Sequence, residues 1–288
     1  MRRPRPGIRD SGFGTRGSTK ARFPRARKRF GQHFLEPAWV ARLIDALAPS
    51  TDDTFLEIGP GRGALTLPLA ARAGRVIAVE LDRDLVASLA PRLPDNVRLV
   101  EGDFLEVDLP GLMQAERTPI RVVGNLPYNV ASPILFRLLD EARDGALLSD
   151  ATLMLQREVA DRLLAEPGGA DYGATSIQVQ LLADVERVLS LPPGAFRPPP
   201  KVHSSVVQLR FRPPQVEVGT RPVFERLVRG VFLQRRKTLA NALKPVAASF
   251  GRSAADILDK ARLDGRRRPE TLSLEDIARL SKAAILDA

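Results

Sequence analysis

The chain has 288 residues, 44% of them hydrophobic, which is enough to bury the core of one large domain and a smaller one. It has no Cys and only two His, His33 and His203, which excludes disulfides and argues against a metal site. No apolar run approaches the roughly 20 residues of a membrane span, and the N-terminus lacks an apolar signal core. We therefore expect a soluble, cytoplasmic protein that is a monomer.

The net charge of +10 is unevenly distributed. Residues 1–29 hold 11 basic side chains and one acid, residues 30–196 hold 14 basic and 24 acidic, and residues 197–268 hold 17 basic and 5 acidic. Two basic blocks around an acidic middle favour phosphate contacts over a merely solvated surface. Residues 1–27 mix Arg with Pro and Gly, which predicts a disordered basic arm. An organelle transit peptide is the alternative, although Pro and Gly oppose the amphipathic helix that it needs.

From Trp39 onward, helical and strand-like segments alternate. Apolar runs predict strands at 54–58, 76–79, 97–100, 120–123 and 151–155. Helical spacing predicts helices at 39–47, 64–73, 84–89 and 157–164, and another opened by Ser132 as cap and Pro133 in the first turn. Alternation of nearly all-apolar strands with helices predicts an α/β fold, a doubly wound Rossmann-like parallel sheet with helices on both faces.

The last third of the chain has a different pattern. The segments 177–189 and 204–211 look like antiparallel additions to the sheet, and Pro213-Pro214 marks a linker. Helices are predicted at 223–233, 238–243, 254–258 and 274–286. The predicted organisation is an arm at 1–27, a Rossmann-like domain at 28–214 and a small all-helical domain at 215–288.

A glycine-rich loop, Gly59 to Gly63, follows the first predicted strand. Its G-x-G-x-G spacing lacks the third glycine of the dinucleotide fingerprint, which disfavours a pyrophosphate ligand. Glu80 ends the second strand and can accept hydrogen bonds from ribose hydroxyls, while Asp103 follows the third and can accept from an adenine amine. Either acid alone could be a loop residue or a helix cap. Together with the loop they predict a nucleoside cofactor without phosphate, such as S-adenosylmethionine.

The most specific motif is Asn125-Leu126-Pro127-Tyr128, after the fourth strand. An adenine N6 amine is a poor nucleophile because its lone pair is delocalised, and two acceptors for its N–H groups would direct that lone pair at a methyl group. The Asn125 side chain and the Leu126 carbonyl are such acceptors, Pro127 fixes the carbonyl direction, and Tyr128 can stack on an extruded base. A simple turn with Tyr128 in the core is the alternative.

These motifs resemble the small-subunit ribosomal RNA adenine N6,N6-dimethyltransferases of the KsgA type, over about 28–243. The matching segments are Arg29–Leu35, Glu57–Gly63, Val79–Asp82, Gly102-Asp103, Gly124–Tyr128, Met154–Ala160, Tyr172-Gly173, Phe196–Val202 and Phe232–Leu239.

The resemblance implies S-adenosylmethionine-dependent dimethylation, without a metal, of two neighbouring adenines near the 3′ end of small-subunit rRNA. The partners would be that rRNA and the immature small ribosomal subunit. It implies cofactor contacts at His33, Leu35, Gly59, Gly61, Glu80, Asp103 and Asn125. It also implies that Phe196 flanks the target base opposite or beside Tyr128. RNA contacts would be made by Lys201 and by a helix that carries Arg235, Arg236 and Lys237.

Three departures and three alternatives accompany this resemblance. His33 stands where many members have Asn, His203 where Asp is frequent, and Ala174 where Arg is frequent. The nearest alternative is a large-subunit rRNA methyltransferase of the antibiotic-resistance type. A non-catalytic nucleic-acid-binding relative is opposed by the intact Asn125–Tyr128 motif, and an NAD enzyme by the glycine spacing.

Deletion of residues 1–27 should weaken RNA affinity and flatten its salt dependence, because each phosphate contact releases counterions. Titration of RNA at several salt concentrations measures both. An unchanged salt slope would mean that the arm makes no phosphate contacts.

Overall fold

The computed structural model describes residues 33–116, 118–143 and 147–285. The predicted arm at 1–27 and the first four residues of the Arg29–Leu35 segment lie outside the described residues.

Seven strands form the main sheet, and a pair of two-residue strands forms a second one. The strands are β1 Phe34–Leu35, β2 Thr54–Ile58, β3 Arg75–Glu80, β4 Val97–Glu101, β5 Ile120–Asn125, β6 Leu148–Gln156, β7 Ala183–Leu191, β8 Phe196–Arg197 and β9 Ser204–Phe211. The spatial order of the main sheet is β4-β3-β2-β5-β6-β9-β7. Its first five strands are parallel, and β9 runs antiparallel to both β6 and β7. β1 pairs with β8 in antiparallel register.

The helices cover both faces of this sheet, as the alternating pattern predicts. They are α1 Pro37–Leu47, α2 Thr66–Ala70, α3 Arg83–Leu89, α4 Leu109–Met113, α5 Ala131–Arg143, α6 Arg157–Leu164, α7 Ala174–Leu182, α8 Arg221–Phe232, α9 Leu239–Ala248, α10 Ala254–Ala261 and α11 Leu274–Ala284. In β2, Phe55 packs into one hydrophobic cluster with α1, and Leu56 into a second on the other face. The predicted doubly wound α/β fold is therefore confirmed.

Three local predictions differ from the structure. The segment 177–189 divides into the end of α7 and the start of β7 with no loop between them, since Ala183 switches directly to extended backbone. α5 begins at Ala131, so Ser132 lies in its first turn instead of capping it. α2 covers only part of 64–73, because turns precede and follow its five residues.

The C-terminal helices pack directly on the sheet's outer layer. Their buried side chains belong to the same hydrophobic cluster as Leu56 in β2. Tyr172, which is buried, donates its hydroxyl to the Leu272 carbonyl oxygen at 2.9 Å. The division at 214/215 stays a prediction, because this core is continuous across it. Among the helices in the described ranges, none is long and apolar enough to cross a membrane.

A polar cluster lies beside β5, near the amino-terminal ends of the parallel strands. The Arg121 guanidinium is 3.2 Å from Asp150 Oδ1 and 3.3 Å from Asp53 Oδ2. Gln208 also donates to Asp150, at 2.6 Å. Asp150 is only 7% exposed, so its charge depends on these donors.

Replacement of Arg121 by Met keeps an apolar stem but leaves Asp150 without its cation. We expect the free energy of unfolding to fall by about 2 kcal/mol, the cost of an unsatisfied buried acceptor. Urea denaturation measures it. Arg98→Met, at an exposed position in β4, is the matched control and should change stability by less than about 0.5 kcal/mol. Equal losses in the two variants would contradict the role of the cluster.

Candidate active site

A pocket lies at the carboxyl edge of the parallel strands, beside β2, β3 and β5. Its volume, including the open mouth, is about 1160 Å³. Ten residues singled out from the sequence line it together: His33, Leu35, Gly59, Gly61, Glu80, Asp103, Asn125, Leu126, Pro127 and Tyr128. This convergence follows from the fold, because parallel strands deliver the residues after them to one edge.

The glycine loop forms one wall of the pocket. Gly59, Gly61 and Gly63 have positive φ angles of 68°, 60° and 80°, a backbone region in which other residues are strained. A Cβ atom on Gly63 would lie 2.6 Å from Leu89 Cδ1, so the loop also needs the missing side chain there. The Gly59 N–H donates to the Val79 carbonyl oxygen at 2.9 Å, which anchors the loop to β3.

Glu80 is 6% exposed and is held by backbone donors. The Gly61 N–H donates to Oε2 at 2.9 Å, and the Asp82 N–H donates to Oε1 at 2.8 Å. Burial raises the pKa of Glu80, while these two hydrogen bonds act in the opposite direction. Each carboxylate oxygen keeps a second lone pair, so the group can still accept hydrogen bonds from a ligand.

Asp103 and Phe104 form the next part of the wall. One oxygen of Asp103 accepts from the Leu105 N–H at 2.9 Å, which orients the carboxylate. The Phe104 ring is 5% exposed and borders the pocket. An acceptor beside an apolar ring suits a flat heterocycle that carries an amine.

Asn125 is oriented by a residue 92 positions earlier. Its Nδ2 amide donates to the His33 carbonyl oxygen at 2.6 Å. Because a carbonyl oxygen can only accept, the side-chain amide of Asn125 must face it, and Oδ1 remains an acceptor. The Asn125 carbonyl group is therefore set before any substrate arrives.

Tyr128 is held at both ends. Its hydroxyl lies 2.6 Å from Ser204 Oγ, and burial raises the pKa of Tyr128. Its ring stacks on the His33 imidazole, with centroids 5.8 Å apart and planes at 25°. The His33 Nδ1–H donates to the Pro198 carbonyl oxygen at 2.7 Å. His33 thus connects the N-terminal strand, Tyr128 and the loop after β8.

The predicted residues outside this pocket are placed differently. Phe196 is 1% exposed and packs in the core, where it is paired with Leu35 in the β1–β8 sheet. It supports the pocket from behind, and the prediction that it flanks the target base is wrong for this arrangement because its ring is buried. Lys201 is exposed in the turn before β9, away from the pocket lining.

The basic cluster Arg235, Arg236 and Lys237 lies in the turn between α8 and α9, so the prediction that a helix carries it is wrong. The Lys237 N–H donates to the Gln234 carbonyl oxygen, which closes this turn. Arg235 Nε lies 3.3 Å from Glu270 Oε2, while the other two side chains are exposed.

Glu57 is a pocket residue to which the sequence analysis assigns no role. It is 2% exposed, and Oε2 accepts no hydrogen bond from the described part of the chain. Burial raises its pKa to about 7. The signal in the sequence is one acid within an otherwise apolar strand.

The family of the chain is decided by comparison with known proteins. A family model described as ribosomal RNA adenine dimethylase matches residues 24–280. The chain belongs to the ribosomal RNA adenine dimethylase family. Within the ranges that the structure describes, this member has no group of three or more His, Cys, Asp or Glu side chains that could hold a metal ion.

Similar proteins support the same assignment to the dimethylase family. A ribosomal RNA small subunit methyltransferase A from Nitrosococcus oceani is 48% identical over 90% of this chain and 96% of the relative. One from Geobacter metallireducens is 46% identical over 90% and 95%. Among solved structures, a dimethyladenosine transferase from Plasmodium falciparum has a TM-score of 0.74, with 26% identity over 88% and 99% of the two chains. The 23S rRNA methyltransferase ErmE has a TM-score of 0.63, with 28% identity over 87% and 98%.

The raised pKa of Glu57 predicts a pH-dependent stability. Between its ordinary value of 4.5 and about 7, the folded protein keeps a proton that the unfolded chain releases, so this contribution to stability falls as the pH rises. Glu57→Gln mimics the protonated form. Its free energy of unfolding, relative to wild type, should increase by roughly 3 kcal/mol between about pH 4.5 and about pH 8.

Chemical denaturation across this pH range measures the difference. Glu166→Gln, at an exposed position after α6, is the matched control and should show no such trend. A pH-independent difference for Glu57→Gln would show that the carboxyl group is already ionised at low pH.

Proposed function

We propose that this dimethylase-family chain transfers methyl groups from S-adenosylmethionine to the N6 amines of two neighbouring adenines near the 3′ end of small-subunit rRNA. The observation that carries the proposal is the fixed Asn125 amide at the pocket edge, held by the His33 carbonyl oxygen at 2.6 Å. The printed names of the bacterial relatives support the small subunit as the substrate. The partner would be the immature small ribosomal subunit.

The pocket fits the cofactor by the chemistry of its acceptors. Glu80 has backbone donors on one side and free lone pairs for the ribose hydroxyls on the other. Asp103 and Phe104 suit the adenine amine and ring. The positive-φ glycines allow the backbone to approach the amino-acid tail closely, with His33 and Leu35 bordering the same space. Bound S-adenosylmethionine supplies an electrophilic methyl group.

The chain's own contribution to the reaction is to hold the amine. Asn125 Oδ1 and the Leu126 carbonyl oxygen each accept one N–H of the target adenine, which concentrates the nitrogen lone pair toward the methyl group. Pro127 restricts the direction of that carbonyl, and Tyr128, held by Ser204, provides a ring for the extruded base. The methylated amine is acidic enough to release its proton to water, so the site needs no general base.

The direct test is incubation with labelled S-adenosylmethionine and unmethylated small subunits, followed by mapping of the modified bases. Label on two neighbouring adenines of small-subunit RNA is the expected result. Label on large-subunit RNA would favour an activity like that in the name of ErmE, which has a similar fold. Absence of label on either RNA would favour a non-catalytic RNA-binding protein.

Asn125→Ala should reduce the rate of methyl transfer about 10²- to 10³-fold, because one preorganised acceptor is lost. RNA affinity should be nearly unchanged, because the phosphates are contacted elsewhere. Single-turnover methylation and filter binding measure the two effects. Gln114→Ala, at an exposed position after α4, is the matched control. Wild-type transfer in Asn125→Ala would refute the mechanism.

A further inference from the structure

A second cleft lies between the helices of the catalytic part and the C-terminal helices. We call it the arginine cleft, after Arg162, Arg229 and Arg235 in its lining. It also borders the start of α7 and the side chains of Phe232 and Leu233. Its volume is about 660 Å³ including the mouth, and it shares no lining residue with the active-site pocket.

Two cations in this cleft are available to a ligand. Arg162 on α6 and Arg229 on α8 are exposed, and within the described ranges neither guanidinium group has an ion pair or hydrogen bond. Arg235 is already engaged, because it pairs with Glu270 and donates to the Ala170 carbonyl oxygen at 2.8 Å. Asp171 is the one acid in the lining, so the cleft is electropositive.

The cleft also has an exposed apolar wall. Leu233 is 81% exposed, whereas the other exposed large hydrophobic side chains are between 38% and 50% exposed. Phe232 lies behind it, fixed by an edge contact with Tyr172 at 6.0 Å. A fully hydrated leucine beside two unpaired arginines combines an apolar surface with anion binding, the chemistry that recognises the two halves of a nucleotide.

The two sides of the cleft are held in place by hydrogen bonds. Ser176 Oγ donates to the Arg162 carbonyl oxygen at 2.5 Å, which ties α7 to α6. The Tyr172 hydroxyl donates to Leu272, which ties the same region to the C-terminal helices. The cleft is therefore organised before a ligand binds.

We propose that the arginine cleft binds one unpaired nucleotide of the substrate RNA, with its phosphate between Arg162 and Arg229 and its base against Leu233. The proposal rests on the proposed function for the choice of RNA. A strand held at Asn125 and in the cleft would be fixed at two points. The spacing between these points would then select which adenines reach the active site.

The charge half of the proposal is tested by Arg162→Gln/Arg229→Gln. We expect RNA affinity to fall about tenfold at low salt, and the slope of log affinity against log salt to become shallower by about 0.7 to 1.4, the value for one or two lost single-strand phosphate contacts. Arg98→Gln/Arg226→Gln removes two exposed charges outside the cleft and is the matched control. Equal effects in the two double variants would overturn the proposal.

The base half is tested with a fluorescent reporter. Trp39 is the only Trp in the chain, so Trp39→Phe/Leu233→Trp places a single Trp at the cleft rim. Single-stranded RNA should quench its fluorescence, and duplex RNA should not. Quenching by duplex RNA, or equal quenching by poly-glutamate as a probe for an acidic protein segment, would overturn the proposal.

Failure of this inference is distinguishable from failure of the proposed function. Wild-type methylation of small-subunit RNA together with unchanged RNA binding in Arg162→Gln/Arg229→Gln would reject the cleft alone. Absence of RNA methylation by the wild type would reject the proposed function and, with it, the RNA assignment of the cleft. Unfolding midpoints equal to wild type would show that the variants are folded.

Discussion

All five residues of β2 are buried, and this burial constrains the whole sheet. Phe55 faces one hydrophobic cluster while Leu56 and Ile58 face the other, so helices must cover both sides. Parallel strands with helical crossovers then all end at one edge, where the unpaired backbone and the polar residues after each strand collect. The active-site pocket is a consequence of that geometry, and the three positive-φ glycines are needed where the chain leaves β2.

The acids of the pocket are held by neutral donors. Glu80 is bound by two backbone N–H groups and Asp103 by one, and the side chains that line the pocket include no Lys or Arg. Their negative charge is therefore not neutralised locally, which suits a cofactor with a positive sulfur and an ammonium group. The available arginines lie elsewhere, in the cleft with Arg162 and Arg229. Cofactor affinity and phosphate affinity are thus separated in space, as the acidic middle and basic end of the sequence are separated along the chain.

The strands and most pocket residues could be predicted because buried parallel strands give uninterrupted apolar runs and a common edge. The junction of α7 and β7 could not, since the apolar run continues through Ala183 without a break and only pairing with β9 decides its conformation. Glu57 was missed because a strand residue is read as core, and only the three-dimensional pocket shows that it is also ligand-facing. Motif resemblance placed Phe196 near the base, whereas its burial depends on β1 packing from a distant part of the chain. Likewise, the turn that holds Arg235 is built from residues that are all compatible with a helix.

The hydrogen bond from Asn125 to His33 links the pocket to a strand of only two residues. So short a strand has few contacts of its own and belongs to the part of a protein that opens most readily. When β1 separates from β8, every residue of the Asn125–Tyr128 motif is still present, yet the amide has lost the partner that orients it. The enzyme would then exist as two subpopulations with the same composition, and the measured turnover would scale with the docked fraction. Heating should therefore lower activity before the global unfolding transition begins, because catalytic competence is limited by a local equilibrium far weaker than the stability of the core.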